Sequence, residues 1–360
     1  MAQFSCKTKI ISGEGAVSTL RELGIRRLFL VTDPYFVKSG KAEEILALSG
    51  AVEMEIFSEV QPDPSVELAA QGTARLRAFE PDAVVALGGG SAMDCAKAMV
   101  YFSGQAVRLV AIPTTSGSGS EVTDFSILTH NGIKQPLVDE KLRPDVAILD
   151  GNLLGELPGS LIADAGFDVL SHAVESYVAT DAGAISDALA ADAFTTAFCL
   201  LSASFGGKKV VRQRIHEAAT MAGLAFTHAG LGLCHAMAHA LGGIFHVPHG
   251  RLNAILLPAV IECNAHGAAG KYAKLARAAG LGGSADTLGV RNLKNGLIRL
   301  RRELGLPQTL LQAGVNPREV YRNAKTIVEA TLADPCCKTN PVLVEDFMVR
   351  QILEAVTGRG

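Results

Sequence analysis

The sequence predicts an α/β domain with a mainly parallel sheet, followed by an all-α domain. Up to about residue 150, short apolar runs alternate with helical runs, which is typical of parallel strands covered by helices. From Asn152 to Glu354 the strand signal fades, and Ala, Leu and helical periodicity dominate. Because 360 residues exceed what one hydrophobic core usually serves, we expect two domains, at residues 1–155 and 156–360.

The elements of the first domain are predicted from short β-rich runs and from the helical stretches between them. The run 83–87 is apolar on both faces, as a central parallel strand should be. Ser160 suits the N-cap of the helix that opens the second domain. The predicted strands are 27–32, 54–57, 83–87, 108–112 and 146–149, and the predicted helices are 42–48, 66–79 and 92–102.

The composition favours a globular protein with small-molecule chemistry. Apolar residues make up 48% of the chain and charged residues 19%, so a buried core is expected. A formal charge of -3 gives no attraction for nucleic acid or for an anionic membrane. Seven cysteines without a C-x-x-C pair, and no apolar run behind a basic cluster at the N-terminus, predict a reduced, cytoplasmic setting. The most apolar later stretches are short or carry His and Pro, which predicts buried helices and no membrane span.

A glycine triplet follows the central strand. Gly88-Gly89-Gly90-Ser91 comes directly after 83–87 and opens a helix, where free backbone N–H groups and the helix dipole can bind a phosphate. The triplet is neither G-x-G-x-x-G nor a Walker loop. A tight turn that needs positive φ would explain it equally well.

A second loop, residues 113–121 (PTTSGSGSE), ends at the same carboxyl edge of the sheet, where ligands bind in open α/β folds. Alone it would suit a plain Ser/Gly connector, but two such loops at one edge predict a dinucleotide site. Asp33 follows the first predicted strand and favours NAD over NADP, because its carboxylate would accept from a ribose and repel a 2′-phosphate. An Asp-Pro turn explains Asp33 equally well. The candidate cofactor-binding residues of this domain are Asp33, Gly89, Gly90, Ser91, Asp94, Thr114, Thr115, Ser118 and Lys134.

The helical half carries a dense group of possible metal ligands. Asp168 and His172 are four residues apart, so they share one helix face. Four histidines within fifteen positions need partners that no nearby acid in their segment supplies. Carboxylate plus imidazole suits Fe²⁺, Zn²⁺, Co²⁺ or Mn²⁺ and not Ca²⁺. These histidines are His235, His239, His246 and His249.

The helical geometry of that segment also affects which of its side chains can converge on one site. Cys234 faces a different direction on the helix from His235. Pro248 ends the helix, so the chain can turn and bring His249 back toward His235.

Four blocks of this sequence resemble the iron-containing (group III) alcohol dehydrogenases in order and spacing. The blocks are 88–97 (GGGSAMDCAK), 112–123 (IPTTSGSGSEVT), 166–177 (GFDVLSHAVESY) and 230–250. The resemblance implies a dehydroquinate synthase-like fold, with an NAD-binding α/β domain and a helical metal-binding and catalytic domain. The departure at Ala165-Gly-Phe167, where the family usually has Thr-Gly-Met, removes no ligand.

The resemblance also implies roles for individual residues. Fe²⁺, or Zn²⁺ as a substitute, would be held by Asp168, His172, His235 and His249. His239 would be the active-site histidine near the nicotinamide, both catalytic and cofactor-binding. The additional imidazole of His246 leaves open which histidines coordinate.

The implied reaction is NAD(H)-linked interconversion of short-chain aldehydes and primary alcohols, such as propanal and 1-propanol or acetaldehyde and ethanol. A glycerol dehydrogenase-like or dehydroquinate synthase-like enzyme would share the architecture, but it usually has a sparser ligand set. A microcompartment cargo or scaffold that has lost activity is the alternative of another class.

Within the family, three segments resemble the 1-propanol dehydrogenases of propanediol-utilisation microcompartments: 57–64 (FSEVQPDP), 246–250 (HVPHG) and 332–341 (LADPCCKTNP). This branch implies a homodimer or higher homo-oligomer, other microcompartment enzymes as partners, and a cytoplasmic location inside the microcompartment.

Overall fold

The computed structural model describes residues Phe4–His130 and Ile133–Gly358. They divide into two compact units: one is Ser5–Leu157, and the other comprises Phe4 and the chain from Pro158 onward.

The first unit is built on a parallel sheet. In the part of the chain that the structure describes, six strands pair in the order β1-β8-β5-β4-β2-β3, all parallel, and β6 and β7 form a separate antiparallel hairpin. The central strand β4 is buried along its whole length, as its sequence predicts. The strands are β1 Lys9–Ser12, β2 Arg27–Val31, β3 Glu53–Phe57, β4 Ala83–Gly88, β5 Arg108–Pro113, β6 Phe125–His130, β7 Ile133–Val138 and β8 Val146–Leu149.

Helices cover both faces of this sheet. Leu28 and Leu30 of β2 contribute to one apolar core and Phe29 and Val31 to the other, because successive side chains point to opposite faces. The helices are α1 Pro34–Lys38, α2 Lys41–Ser49, α3 Val66–Phe79 and α4 Gly90–Ser103, with 3₁₀ turns at Ala16–Leu23, Ser120–Val122, Glu140–Leu142 and Gly151–Leu154.

The predicted strands and helices are confirmed to within a few residues, but β1 and the β6–β7 hairpin were missed. Strand β1 is four residues long and mostly exposed at the sheet edge, so it lacks the apolar run that identifies the central strands. The predicted strand–glycine–helix unit is confirmed, since β4 ends at Gly88 and α4 begins at Gly90.

The second unit is helical throughout its described residues. Its first helix begins at Gly159 with Pro158 at the N-cap, so the prediction of Ser160 as the N-cap was wrong. Pro158 has its φ fixed near the value of a helix, so the helix begins earlier than Ser160 predicts. The helices are α5 Gly159–Val178, α6 Ala184–Phe205, α7 Arg212–Ala229, α8 Leu233–Phe245, α9 His249–Ala278, α10 Asp286–Glu303, α11 Pro317–Arg322, α12 Ala324–Ala333 and α13 Asp346–Thr357, with 3₁₀ turns at Lys209–Val211 and Pro335–Thr339.

Helix α6 is long and apolar enough to cross a membrane by length and composition alone. It packs against α5 and α7, and Ala190, Phe194 and Leu201 are among its fully buried side chains. Core helices of globular proteins pass the same test of length and hydropathy, so this feature is weak evidence for a membrane span.

Helices α5 and α9 approach each other closely near their N-termini. A Cβ atom on Gly250 would lie 2.0 Å from the backbone oxygen of Asp164, so only glycine fits there. Next to this contact, the Arg251 guanidinium donates to both carboxylate oxygens of Asp164, at 3.2 and 2.9 Å. A forked ion pair and a glycine contact therefore fix the distance between the two helices.

This contact generates a stability prediction. Gly250→Ala should lower the free energy of unfolding by about 1 to 3 kcal/mol, because the new methyl group meets backbone that cannot rotate away. Gly243→Ala, whose Cβ meets nothing within 4 Å, is the matched control. It should instead gain about 1 kcal/mol from helix propensity. Urea unfolding of both variants after chelation checks this, and wild-type stability of Gly250→Ala would contradict it.

Candidate active site

Asp168 and the predicted histidine ligands meet at one carboxylate oxygen. Asp168 Oδ1 lies 3.8 Å from Nε2 of His172, 3.9 Å from Nε2 of His235 and 3.5 Å from Nε2 of His249. The rings of His172 and His235 stack with centroids 4.5 Å apart. Helix α5 supplies the aspartate and one histidine, α8 supplies another, and α9 begins at the fourth residue. The structure thus brings together all four residues of the predicted ligand set.

His235 is held from behind by a buried carboxylate. Its Nδ1 lies 2.6 Å from Glu175 Oε2, and both side chains are almost fully buried. Glu175 also accepts from the backbone N–H groups of Gly232 and Cys234, at 3.0 and 2.6 Å. Because an ionised carboxylate only accepts, Nδ1 carries a hydrogen, and Nε2 is the nitrogen that faces Asp168.

Asn253 of α9 completes the surroundings of Asp168. Its amide donates to Asp168 Oδ1 at 2.9 Å and lies 3.3 Å from Nε2 of His235. The thiol of Cys234 points to Asn253, with its sulfur 3.6 Å from the amide oxygen. Cys234 therefore faces away from the cluster, as its helix position predicts.

The electrostatics of the cluster are those of a cation site. Burial alone would raise the pKa of Asp168, but His172, His249 and His235 hold that pKa well below its usual range. Burial alone would lower the pKa of His235, but the nearby carboxylates of Asp168 and Glu175 raise the pKa to about 9. Burial and the neighbouring imidazoles hold the pKa of His249 well below normal, despite Asp168. Asp168 thus stays ionised and positive charge is favoured beside it.

The donor set fits a divalent transition metal. The ligand atoms of Asp168, His235 and His249 lie within 4.8 Å of one another, and His172 adjoins them through Asp168. One carboxylate oxygen and imidazole nitrogens are borderline donors that suit Fe²⁺ or Zn²⁺. His246 lies apart from this group, exposed at the C-cap of α8 with φ at 54°.

His239 lies one turn beyond His235 on α8 and contacts both this cluster and a second acid. Its ring stacks on that of His249, with centroids 5.2 Å apart, and its Nδ1 lies 2.8 Å from Asp334 Oδ2. Cys336 lies close to the same pair. Burial and Asp334 raise the pKa of the Cys336 thiol well above normal, so the sulfur stays protonated.

In the first unit, the predicted cofactor loops lie side by side. Thr114 N–H donates to Gly88 O at 2.9 Å, because β4 and β5 are adjacent. Cβ atoms on Gly89 and Gly90 would lie 3.3 Å from Thr115 Oγ1 and 3.2 Å from Ser118 Oγ. The glycine loop, with Ser91 in the first turn of α4, and the hydroxyl loop therefore form one continuous edge at a helix N-terminus.

Asp94 and a buried lysine brace the second loop from inside. Ser120 Oγ donates to Asp94 Oδ1 at 2.8 Å, and Lys97 Nζ donates to Ser120 Oγ at 2.9 Å. Lys97 also donates to the backbone oxygens of Thr123 and Phe125, at 3.0 and 2.9 Å. Burial lowers the pKa of Lys97 to about 8, against the influence of Asp94. Asp94 therefore has a hydrogen-bond partner inside the protein, in addition to its predicted role in binding the cofactor.

Asp33 and Lys134, the remaining candidates, both have protein partners. Asp33 caps α1, accepting from Tyr35 N–H at 2.8 Å, and its other carboxylate oxygen would lie 3.9 Å from a Cβ on Gly88. Lys134 on β7 forms an ion pair with Asp63 at 2.6 Å. Asp33 is therefore the N-cap of α1 and lies at the edge of the glycine loop. Capping the helix is compatible with the predicted hydrogen bond to a ribose.

Sequence reasoning missed Glu175 and Asn253, which orient the predicted ligands, and Asp334, which contacts His239. Glu175 could have been found, because it lies seven residues after Asp168 and therefore on the same helix face. Asp334 is far from His239 in sequence and is brought near it only by the tertiary fold.

Family models match both parts of the chain. Residues 7–151 match the model described as iron-containing alcohol dehydrogenase, and residues 162–357 match the C-terminal model of the Fe-containing alcohol dehydrogenase family. The chain belongs to the iron-containing alcohol dehydrogenase family.

Relatives and solved structures agree with this family. The chain is 39% identical to the 1-propanol dehydrogenase PduQ of Citrobacter freundii, over 98% of this chain and 99% of the relative. It matches the iron-containing alcohol dehydrogenase from Thermococcus thioreducens with a TM-score of 0.90 and 34% identity, over 98% and 99% of the two chains. The sulfoacetaldehyde reductase from Bifidobacterium kashiwanohense, solved in complex with NAD⁺, gives 0.89 and 27%, over 100% of both chains.

These comparisons confirm the predicted fold class and the prediction of an alcohol dehydrogenase. They do not favour a glycerol dehydrogenase-like enzyme or a non-catalytic scaffold.

The geometry separates His249 from His246 as metal ligands. His249→Ala should reduce retained iron at least about tenfold, because it removes an imidazole that faces Asp168. His246→Asn, which tolerates the positive φ of that position, should retain iron as the wild type does. Elemental analysis after gel filtration measures both. Loss of metal from His246→Asn alone would make His246 the ligand.

Proposed function

We propose that this chain reduces short-chain aldehydes such as propanal to primary alcohols with NADH, using Fe²⁺ held by Asp168, His172, His235 and His249. The observation that carries the proposal is the convergence of three imidazole Nε2 atoms, among the described residues, on Asp168 Oδ1. Zn²⁺ is a substitute that the same donors accept.

The chain's own residues prepare the metal site. When bound, Fe²⁺ supplies a Lewis acid that stabilises negative charge on the substrate oxygen, and NADH supplies the hydride. Glu175 fixes the ring of His235, and Asn253 fixes the carboxylate of Asp168. Since these partners are buried, the ligands need little rearrangement when the ion binds.

His239 is the proposed proton donor. In reduction, the carbonyl carbon gains a hydride, the oxygen gains a proton, and NADH becomes NAD⁺. Protonated His239 gives up the proton from Nε2 and returns to the neutral imidazole, which then takes a proton from water. Its side chain is 28% exposed, so solvent reaches it, whereas His235 is fully buried.

The cofactor belongs at the carboxyl edge of the first unit's sheet. The first turn of α4 and the hydroxyl loop offer N–H and O–H donors for the pyrophosphate. The candidates are Asp33, Gly89, Gly90, Ser91, Asp94, Thr114, Thr115, Ser118 and Lys134, with His239 on the nicotinamide side.

The relatives support the proposed substrate and setting. PduQ of Citrobacter freundii is a 1-propanol dehydrogenase, which favours propanal here. We extend this to a cytoplasmic homodimer, or higher homo-oligomer, that works with other enzymes inside a microcompartment. Analytical ultracentrifugation and co-purification with shell proteins test these two points.

The direct test of function is NADH oxidation with propanal after anaerobic reconstitution with Fe²⁺. We expect kcat/KM to be higher for C2–C4 aldehydes than for dihydroxyacetone. A preference for dihydroxyacetone would support the glycerol dehydrogenase-like alternative. Absence of turnover with iron bound would support the scaffold.

Asp33 generates a prediction about cofactor choice. Asp33→Ser keeps an N-cap acceptor for Tyr35 N–H but removes the charge, so α1 should be preserved. The ratio of kcat/KM for NADH to that for NADPH should fall roughly 5- to 150-fold. This corresponds to a loss of about 1 to 3 kcal/mol in the preference for NADH. Steady-state kinetics with both cofactors measure it. An unchanged ratio would assign cofactor choice to another residue.

His239 generates a prediction about turnover. His239→Gln should retain iron, because the proposed ligand set does not include it. Its kcat should fall about 10²- to 10⁴-fold, the range for a lost general acid. Iron content and kcat are measured on the same preparation. Wild-type turnover would remove His239 from the mechanism, and loss of iron would make it part of the metal site.

A further inference from the structure

The segment 332–341 (LADPCCKTNP), hereafter the terminal segment, is tied to the start of α8. Thr339 Oγ1 donates to the backbone oxygen of Leu231 at 2.7 Å. Asn340 Oδ1 accepts from the backbone N–H of Leu233 at 3.1 Å. Since both anchors are at the helix N-terminus, the terminal segment has a fixed position against the helix that carries His235 and His239.

Asp334 lies where the terminal segment leaves α12, and both of its carboxylate oxygens are used. Oδ1 accepts from the backbone N–H of Cys336 at 2.8 Å, capping the 3₁₀ turn. Oδ2 lies 2.8 Å from His239 Nδ1. Burial would raise the pKa of Asp334, but the bond to His239 lowers it to about 2. An ionised carboxylate only accepts, so the hydrogen of this bond is on Nδ1.

The arrangement repeats that of His235 one turn earlier. Each of these two histidines has a carboxylate at Nδ1, from Glu175 at 2.6 Å for His235 and from Asp334 at 2.8 Å for His239. In both cases the bond at Nδ1 leaves Nε2 as the nitrogen available to bind an ion or exchange a proton. The ring of His239 is also fixed by its stacking on His249 at an interplanar angle of 16°.

We propose that Asp334 is the positioning residue of His239: its carboxylate accepts from Nδ1–H, fixes the ring, and reserves Nε2 for proton exchange with the substrate. This inference rests on the proposed role of His239 in the function above. The terminal segment then contributes to the reaction by placing the Asp334 carboxylate against His239 on α8.

Asp334→Asn is the sharpest variant, because its shape is unchanged. The capping position needs an acceptor for Cys336 N–H, so the Asn oxygen remains there and the amide NH₂ faces His239. His239 Nδ1 must then accept, and its hydrogen moves to Nε2. We expect kcat to fall about 10- to 100-fold, with iron content and the KM for NADH unchanged.

Two further variants separate orientation from structure. Asp334→Ser keeps a capping oxygen but is too short to reach His239, so it should lose kcat to a similar degree. Cys337→Ser, in the same turn, is the matched control and should have wild-type kcat. Equal losses in Cys337→Ser and Asp334→Ser would overturn the proposal, since any disturbance of the turn would then suffice.

Ring ¹⁵N NMR of the Zn²⁺-loaded protein provides a readout independent of turnover, with the His239 signal assigned by its absence in His239→Gln. The wild type should show His239 protonated at Nδ1, and Asp334→Asn should show it protonated at Nε2. A wild-type hydrogen on Nε2, or wild-type kcat in Asp334→Asn with the tautomer inverted, would overturn the role of Asp334. Failure of the wild type to reduce propanal would instead reject the proposed function, and the NMR result would still decide the orientation.

Discussion

The helical unit is organised around one ionised carboxylate. Asp168 is buried, and an isolated charge there would cost several kcal/mol, so the fold must surround it with donors or a cation. Three imidazoles and the Asn253 amide meet this need in the described part of the chain. Because these groups come from α5, α8 and α9, compensating the charge ties the three helices together. The packing at the centre of this unit therefore depends on the need to compensate one buried charge, that of Asp168.

That packing depends on places where a side chain would not fit. A Cβ on Gly232 would lie 2.8 Å from Glu175 Oε1 and as close to Asn340 Oδ1. The same backbone donates its N–H to Glu175, so glycine permits the hydrogen bond that orients His235. Gly250 likewise permits the close approach of α9 to the backbone of α5. The glycines around the histidine segment therefore serve the metal site through backbone approach, and not through flexibility.

Much of this arrangement could be predicted from the sequence, for local reasons. The spacing of Asp168 and His172 fixes a shared helix face, and strand 83–87 followed by three glycines fixes a strand–turn–helix unit. Partners from distant segments could not be predicted: Asp334 is 95 residues from His239, and no periodicity connects them. The hairpin of β6 and β7 was missed for a related reason. Strand β6 has only two buried residues and the described side chains of β7 are half-buried or exposed, so neither strand has the apolar run that identifies the central strands.

In the proposed function, the two carboxylate–imidazole pairs on α8 give one helix two roles. Both histidines are held at Nδ1, so both present Nε2, but their exposure differs: the His235 side chain is 1% exposed and that of His239 is 28% exposed. Burial makes the first imidazole a fixed donor to an ion, since water cannot compete for its nitrogen. Partial exposure gives the second a route for protons to and from solvent, which a proton donor needs and a ligand does not. In this proposal, a helical step of four residues, combined with two acids from different parts of the chain, is enough to separate metal binding from proton transfer.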